Sequence, residues 1–231
     1  MRDKCVTVIK LGGSFAGSQY LAGWVEVLNN SRGRSVVVPG GGPFADAVRH
    51  AQSKLGFSDA VAHHLALLAM EQFGHALASL SSNFVIVSSA AAIRRVLRAG
   101  DVPIWSPTRM VVHRPEITPS WDTTSDSLAA WLAGQIGAGQ LILVKHGGPF
   151  ENPLRAVNLA ERGIVDRAFP RFLAASGALA SIVAAKNYAA AERVIRNRGT
   201  PGTPIDLHQP DAKRLLPQSW PTSKSHDGDG R

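Results

Sequence analysis

Six short runs in the chain read as strands, and most are continuously apolar rather than alternating: 6–11, 35–39, 83–88, 102–106, 141–145 and 180–184. Alternation marks a sheet with one wet face, whereas an unbroken apolar run marks a strand buried on both faces. Between these runs lie helical patterns at 19–29, 44–55, 58–79, 90–98, 125–134, 158–163, 165–175 and 189–196. Strands that alternate with helices predict a mainly parallel sheet covered by helices on both sides and joined by right-handed crossovers. The pattern fades near Leu207. The segment 208–231, "HQPDAKRLLPQSWPTSKSHDGDGR", is rich in Pro, Ser, Asp and Gly and is expected to be a flexible tail.

Composition narrows the function classes. A chain of 231 residues with 45% hydrophobic and 18% charged side chains can bury a substantial core as one large domain or two small ones. It holds no apolar run long enough to span a bilayer, and its start runs directly into a strand, so neither membrane nor leader is expected. Cys5 is the single cysteine, which excludes an internal disulfide framework and points to a cytoplasmic protein. The formal charge is +8, but the densest arginine groups, "AAIRRVLRAG" and "AERVIRNRG", have the spacing of solvated helix faces. There is no aromatic-plus-basic stripe of the kind that stacks bases, so no nucleic-acid partner is expected. A positive field serves a small anionic substrate equally well.

The strand ends carry the chemistry. "VTVIKLGGSF" brings Lys10 to the end of the first strand and follows it with Gly12, Gly13 and Ser14. "SVVVPGGGPF" ends the second strand in Gly40, Gly41 and Gly42, and "LILVKHGGPF" repeats the lysine placement with Lys145. In a parallel sheet ligands bind beyond the carboxyl ends of the strands, and glycines let free N–H groups approach an anion closely. Neither glycine loop matches the phosphate loop or the dinucleotide fingerprint, because here the lysine precedes the glycines. Residues 121–133, "WDTTSDSLAAWLA", add Thr123, Thr124, Ser125 and Asp126 at a helix start, where N-cap oxygens bind free backbone N–H groups. A carboxylate there can orient nearby lysines and keep them charged. Two lysines, one carboxylate and two glycine loops are parts of a phosphoryl-transfer site, which holds two anions in line and neutralises the migrating group. His63, His64 and His75 lie on the helix over 58–79; the adjacent pair points in different directions, so these are expected to be core or interface histidines rather than metal ligands.

In order, "VIKLGGS", "VVVPGGGPFADAVR", "TSDSLAAWLA" and "GTPI" resemble the amino acid kinase superfamily over about nine-tenths of the chain. The stretch "VRHAQSKLGFSDAVAHHLALLAMEQFG" most resembles the furan phosphate kinases of methanofuran and methylofuran biosynthesis. The resemblance implies a three-layer α/β/α sandwich with a sheet of about eight strands over residues 1–207. Its N-terminal lobe would bind the acceptor and its C-terminal lobe ATP. It implies a kinase that uses ATP with Mg²⁺ carried on the nucleotide to convert (5-(aminomethyl)furan-3-yl)methyl phosphate to its diphosphate. Lys10, Asp126 and Lys145 would be catalytic. Lys10, Gly12, Gly13, Ser14 and Lys145 would bind ATP, and Gly40, Gly41, Gly42, Thr124 and Ser125 would bind the acceptor. Arg49, on the helix after the second glycine loop, is read from its position either as a grip on the acceptor's phosphate or as a surface arginine of that helix. "GTPI" would be the closing strand, and a homo-oligomer formed through the helix over 58–79 is expected.

One stretch departs from that pattern. Where relatives carry a "DVDG"-like segment after the nucleotide-side strand, this chain reads "KHGGPFENP", with no acidic residue before Glu151. Other small acceptors, UMP, isopentenyl phosphate or an acyl carboxylate, stay open at this point. So does a nucleotide-binding or storage protein without turnover.

Overall fold

The computed structural model describes residues 6–148, 150 and 154–207. The first half runs β1 (Thr7–Leu11), α1 (Leu21–Asn30), β2 (Ser35–Pro39), α2 (Gly42–Leu55), α3 (Asp59–Ala78), β3 (Phe84–Val87), α4 (Ala90–Ala99) and β4 (Val102–Trp105). The second half runs α5 (Thr108–Val111), α6 (Ser125–Ile136), β5 (Gln140–Lys145), β6 (Leu154–Arg155), α7 (Ala156–Glu161), α8 (Phe169–Ser176), β7 (Leu179–Ala184), α9 (Tyr188–Arg196) and β8 (Thr203–Asp206). The expected tail at 208–231, Cys5 and Glu151 lie outside the described residues.

Eight strands form one sheet in the order β3-β4-β2-β1-β5-β7-β8-β6. Every pairing is parallel except β7 with β8. From β1 the chain builds outward through β2, and from β5 it builds the opposite way, so the order reverses between β1 and β5. That is where an open α/β sheet leaves a crevice for ligands.

Strand alternation sorts the core into two layers. Val8, Val36, Val38, Leu141 and Leu143 face one side and pack with α4, α6 and α8. Ile9, Leu11, Val37, Ile142 and Val144 face the other and pack with α1 and α9. α3 reaches both, through Leu67 and Met70 on one side and Phe73 and Leu77 on the other. The three-layer sandwich expected from the sequence is therefore present. α6 is apolar nearly all round and is buried from Asp126 to Ala133. Such a helix belongs between layers rather than on a surface. Gly134 lets α8 come close, since a Cβ there would lie 3.2 Å from the Cα of Ser176.

Two local expectations fail for identifiable reasons. The helix expected over 165–175 begins only at Phe169, with Pro170 in its first turn. Proline favours the first turn of a helix, where its missing N–H breaks no intrahelical bond. The helix start at 124–126 is not capped by its own side chains, because Thr124 makes no side-chain cap bond. By contrast Ser58 caps α3, accepting from the N–H of Val61.

Candidate active site

Register explains why the two strand-end lysines meet. Lys10 pairs with Leu143 across β1 and β5, and Lys145 lies two residues beyond Leu143, on the same face of the sheet. That face looks toward the N-terminus of α6, where Asp126 stands in the first turn. Lys10 forms an ion pair with Asp126 Oδ1 at 2.7 Å. Lys145 donates to Asp126 Oδ2 at 2.6 Å. Lys10 and Asp126 are each 4% exposed and Lys145 is partly buried, so one buried carboxylate bridges two ammonium groups and the trio keeps one net positive charge. Burial alone would raise the Asp126 carboxyl, but Lys10 and Lys145 outweigh it and hold the group at about 2. For Lys145, burial and then repulsion from Lys10 prevail over the attraction of Asp126 and lower it to about 8.

A residue that sequence reasoning missed fixes the carboxylate's helix. Asp166 accepts from the N–H of Thr124 at 3.0 Å, from its hydroxyl at 2.8 Å and from the N–H of Ser127 at 3.0 Å. The Ser127 hydroxyl also donates to it. Asp166 thus caps α6 from 42 residues away in place of Thr124. Burial and then repulsion from Asp126 raise its pKa against these hydrogen bonds. Replacing Asp166 with alanine strips the first turn of α6 of its acceptor. The expected loss is roughly 2 kcal/mol of stability, read from the urea midpoint.

The glycine loops hold each other. A Cβ on Gly13 would stand 1.9 Å from the backbone nitrogen of Gly42, and one on Gly40 would stand 2.3 Å from the nitrogen of Gly13. Only bare backbones can interleave this closely. Gly42, at φ +55°, also takes the left-handed conformation. The interleaved loops border a cavity of about 490 Å³. Gly13, Ser14, Gly41, Gly42, Arg49, Thr124 and Ser125 line it, whereas Gly12 and Gly40 do not. A Cβ on Gly12 would lie 3.9 Å from Lys10 Nζ, so that glycine adjoins the lysine instead.

Around the cavity, Arg49 is half-exposed, pairs with Asp46 at 2.9 Å and lies 4.3 Å above the ring of Trp121. Trp121 is itself fixed by donating to Gln52 Oε1 at 2.7 Å. The other walls are largely apolar and come from α2, α3 and α6, with Leu67, Met70 and Leu128 among them. On the far side of the lysines, His146 packs against Phe15, ring centres 4.9 Å apart. With Tyr20, Gly147, Gly148 and Lys186 it borders a second cavity of about 110 Å³. No group of three or more His, Cys, Asp or Glu able to hold a metal occurs among the described residues.

The amino acid kinase family model matches residues 6–148, and the chain belongs to that family. The chain is 24% identical over 177 residues to a [5-(aminomethyl)furan-3-yl]methyl phosphate kinase of Methanocaldococcus jannaschii, covering 72% of this chain and 82% of that one. Its fold is similar to that of uridylate kinase from Archaeoglobus fulgidus, with a TM-score of 0.64 at 18% identity over 89% of this chain and all of that one. A solved isopentenyl phosphate kinase gives a TM-score of 0.56 at 17% identity, over 87% of this chain and all of that one. The protein is a phosphotransferase. No helix among the described residues is long and apolar enough to cross a membrane.

Proposed function

We propose that the protein transfers the γ-phosphoryl group of ATP to a small phosphomonoester, (5-(aminomethyl)furan-3-yl)methyl phosphate, giving its diphosphate and ADP. The observation that carries this reading is the trio in which the buried Asp126 binds both Lys10 and Lys145 beside a glycine-lined cavity. An acceptor phosphate oxygen attacks the γ-phosphorus in line. The new O–P bond forms as the bond to the β,γ-bridging oxygen breaks, and ADP leaves with the electron pair. Negative charge gathers on the oxygens between donor and acceptor, where the ammonium groups of Lys10 and Lys145 neutralise it.

No general base is required. A phosphate monoester loses its second proton near pH 6, so the attacking oxygen is already ionised at neutral pH. Asp126 is tied to both lysines, and its role is to orient them and keep them charged. Glycine N–H groups favour anions at the glycine-lined end of the cavity. Arg49, 4.3 Å above the ring of Trp121, offers its guanidinium to the acceptor's phosphate. Mg²⁺ carried on the ATP phosphates would supply further neutralisation there. The apolar walls suit a small ring, and the similarity to the furan phosphate kinase supports that acceptor.

The lowered Lys145 sets a pH dependence. Transfer needs the ammonium form, so kcat/KM for ATP should fall as pH rises through about 8. Lys145→Arg should move that limb upward, because a guanidinium stays charged throughout. Stability runs the other way. An unfolded Lys145 keeps its proton up to about 10.5 and the native one sheds it near 8, so the native state binds fewer protons in that window and stability rises with pH.

The acceptor is settled by mass analysis of products after mixing purified protein, ATP and Mg²⁺ with the furan phosphate, UMP or isopentenyl phosphate. The furan diphosphate and ADP should accumulate in equal amounts. UDP or isopentenyl diphosphate in its place reassigns the acceptor, and bound ATP with no ADP marks a protein without turnover.

A further inference from the structure

The large cavity carries one fixed negative charge. Among the described residues that line it, Asp46 is the one carboxylate and Arg49 the one guanidinium. They pair through Asp46 Oδ1 and Arg49 Nη1 at 2.9 Å. The pair stands in the open. The Asp46 side chain is 75% exposed, and its Oδ2 has no partner among the described residues. An ionised carboxylate has about four lone-pair positions, so one hydrogen bond leaves Asp46 able to accept more. An exposed ion pair adds little to stability, and the fold does not depend on this one.

An acceptor with a phosphate at one end and an amine at the other needs two different surroundings. The phosphate suits the end bordered by Gly13, Gly41 and Gly42. The amine is a cation at neutral pH, and among apolar side chains it loses its hydration without return. Leu67, Met70 and Leu128 offer it nothing. Ser14 follows the first glycine loop, and Thr124 and Ser125 precede Asp126 at the start of α6, so these hydroxyls stand toward the phosphate end. They are also neutral, and a hydrogen bond to an ionised group is roughly twice as strong. Asp46 follows Gly42 by four residues on α2, about 6 Å along the axis at 1.5 Å per residue. That spacing is comparable with the separation of two short arms across a five-membered ring.

We propose that Asp46 is the specificity residue for the acceptor's amine, its exposed carboxylate receiving the ammonium while Arg49 faces the phosphate. This rests on the kinase reading above. In the free protein Asp46 and Arg49 answer each other. A zwitterionic acceptor lays its own two charges against that pair, so every charge has a neighbour of opposite sign. One N–H of the Arg49 guanidinium goes to Asp46, and none of the others has a hydrogen-bond partner among the described residues. An acceptor with a carboxylate in place of the amine would meet Asp46 as a like charge and be rejected. Asp46 has no part in moving the phosphoryl group.

The experiment compares three acceptors, the aminomethyl furan phosphate and its analogues with methyl or carboxylate in place of aminomethyl, on wild type, Asp46→Asn and Asp46→Lys. Wild type should rank them amine, methyl, carboxylate in kcat/KM, with about 5-fold between the first two, the scale of an exposed ion pair. Added salt should compress that ranking. Asp46→Asn should level amine and methyl through KM for the acceptor, with KM for ATP unchanged. Asp46→Lys should reverse the order and favour the carboxylate, which a merely structural role would not do. Ratios between acceptors cancel any effect common to all three, including the freeing of Arg49. Variants that keep the wild-type ranking, or a wild type that does not discriminate, overturn the assignment and leave the kinase reading standing. A wild-type enzyme that phosphorylates none of the three overturns both.

Discussion

Lys10→Ala is expected to lower kcat about 10³-fold, the scale seen when one preorganised group facing transition-state charge is removed, and to leave the protein folded. The folded outcome follows from the sharing of Asp126. With Lys10 gone, the carboxylate still receives the Lys145 hydrogen bond at 2.6 Å, so no buried charge is abandoned. Lys145→Ala should behave alike, because Lys10 remains at 2.7 Å. The double variant should differ in kind. Its further kinetic loss should be smaller than the product of the single losses, since groups acting as a unit are not additive. Its stability should drop by about 3–5 kcal/mol, the cost of leaving a buried carboxylate without either partner. Steady-state turnover and urea unfolding on the same samples measure both. Near-normal turnover in both single variants would remove the lysines from the chemistry.

Gly13→Ala is expected to be the most damaging single methyl added to the chain. Its Cβ would sit 1.9 Å from the nitrogen and 2.3 Å from the Cα of Gly42, and 3.1 Å from the carbonyl carbon of Gly41. All three are backbone atoms, so no side chain can swing aside, and the two loops must separate. Overpacking of this kind costs about 3 kcal/mol or more. Activity should fall with it, because the same separation widens the cavity's glycine wall. Gly17→Ala is the control. Gly17 has φ +87° but nothing within 4 Å of an added Cβ, so that change should cost only about 1 kcal/mol of backbone strain. Equal urea midpoints for the two variants would show that the loops are not interlocked.

Much of this architecture was legible because its signals are local. Continuous apolar strands ending in glycine mark a parallel sheet whose active edge lies at its carboxyl ends, and Lys10 and Lys145 announce themselves by standing where an apolar run should continue. Their convergence on Asp126 is a matter of register, which aligned motifs imply without proving. The features that escaped depend on distant parts of the chain. Asp166 caps α6 from beyond β5, β6 and α7, and nothing around it in "RGIVDRAF" marks it as a cap. β6 is two residues long, Leu154–Arg155, and pairs with β8 some fifty positions later, too short a run for periodicity to register. The glycines were visible as anion-binding loops, but their tightest contacts are with each other. His63 reads in sequence as an ordinary core histidine, and only the placement of the surrounding helices shows that its Nε2 has no partner.

A crystal structure with a non-hydrolysable ATP analogue and Mg²⁺ probes the phosphoryl site without intermediaries. The Nζ atoms of Lys10 and Lys145 should both lie within hydrogen-bond reach of the β- and γ-phosphate oxygens, with Asp126 still holding the lysines from behind and the γ-phosphate aimed into the glycine-lined cavity. Phosphate density away from both ammonium groups, with Lys10 and Lys145 still turned only toward Asp126, would contradict it.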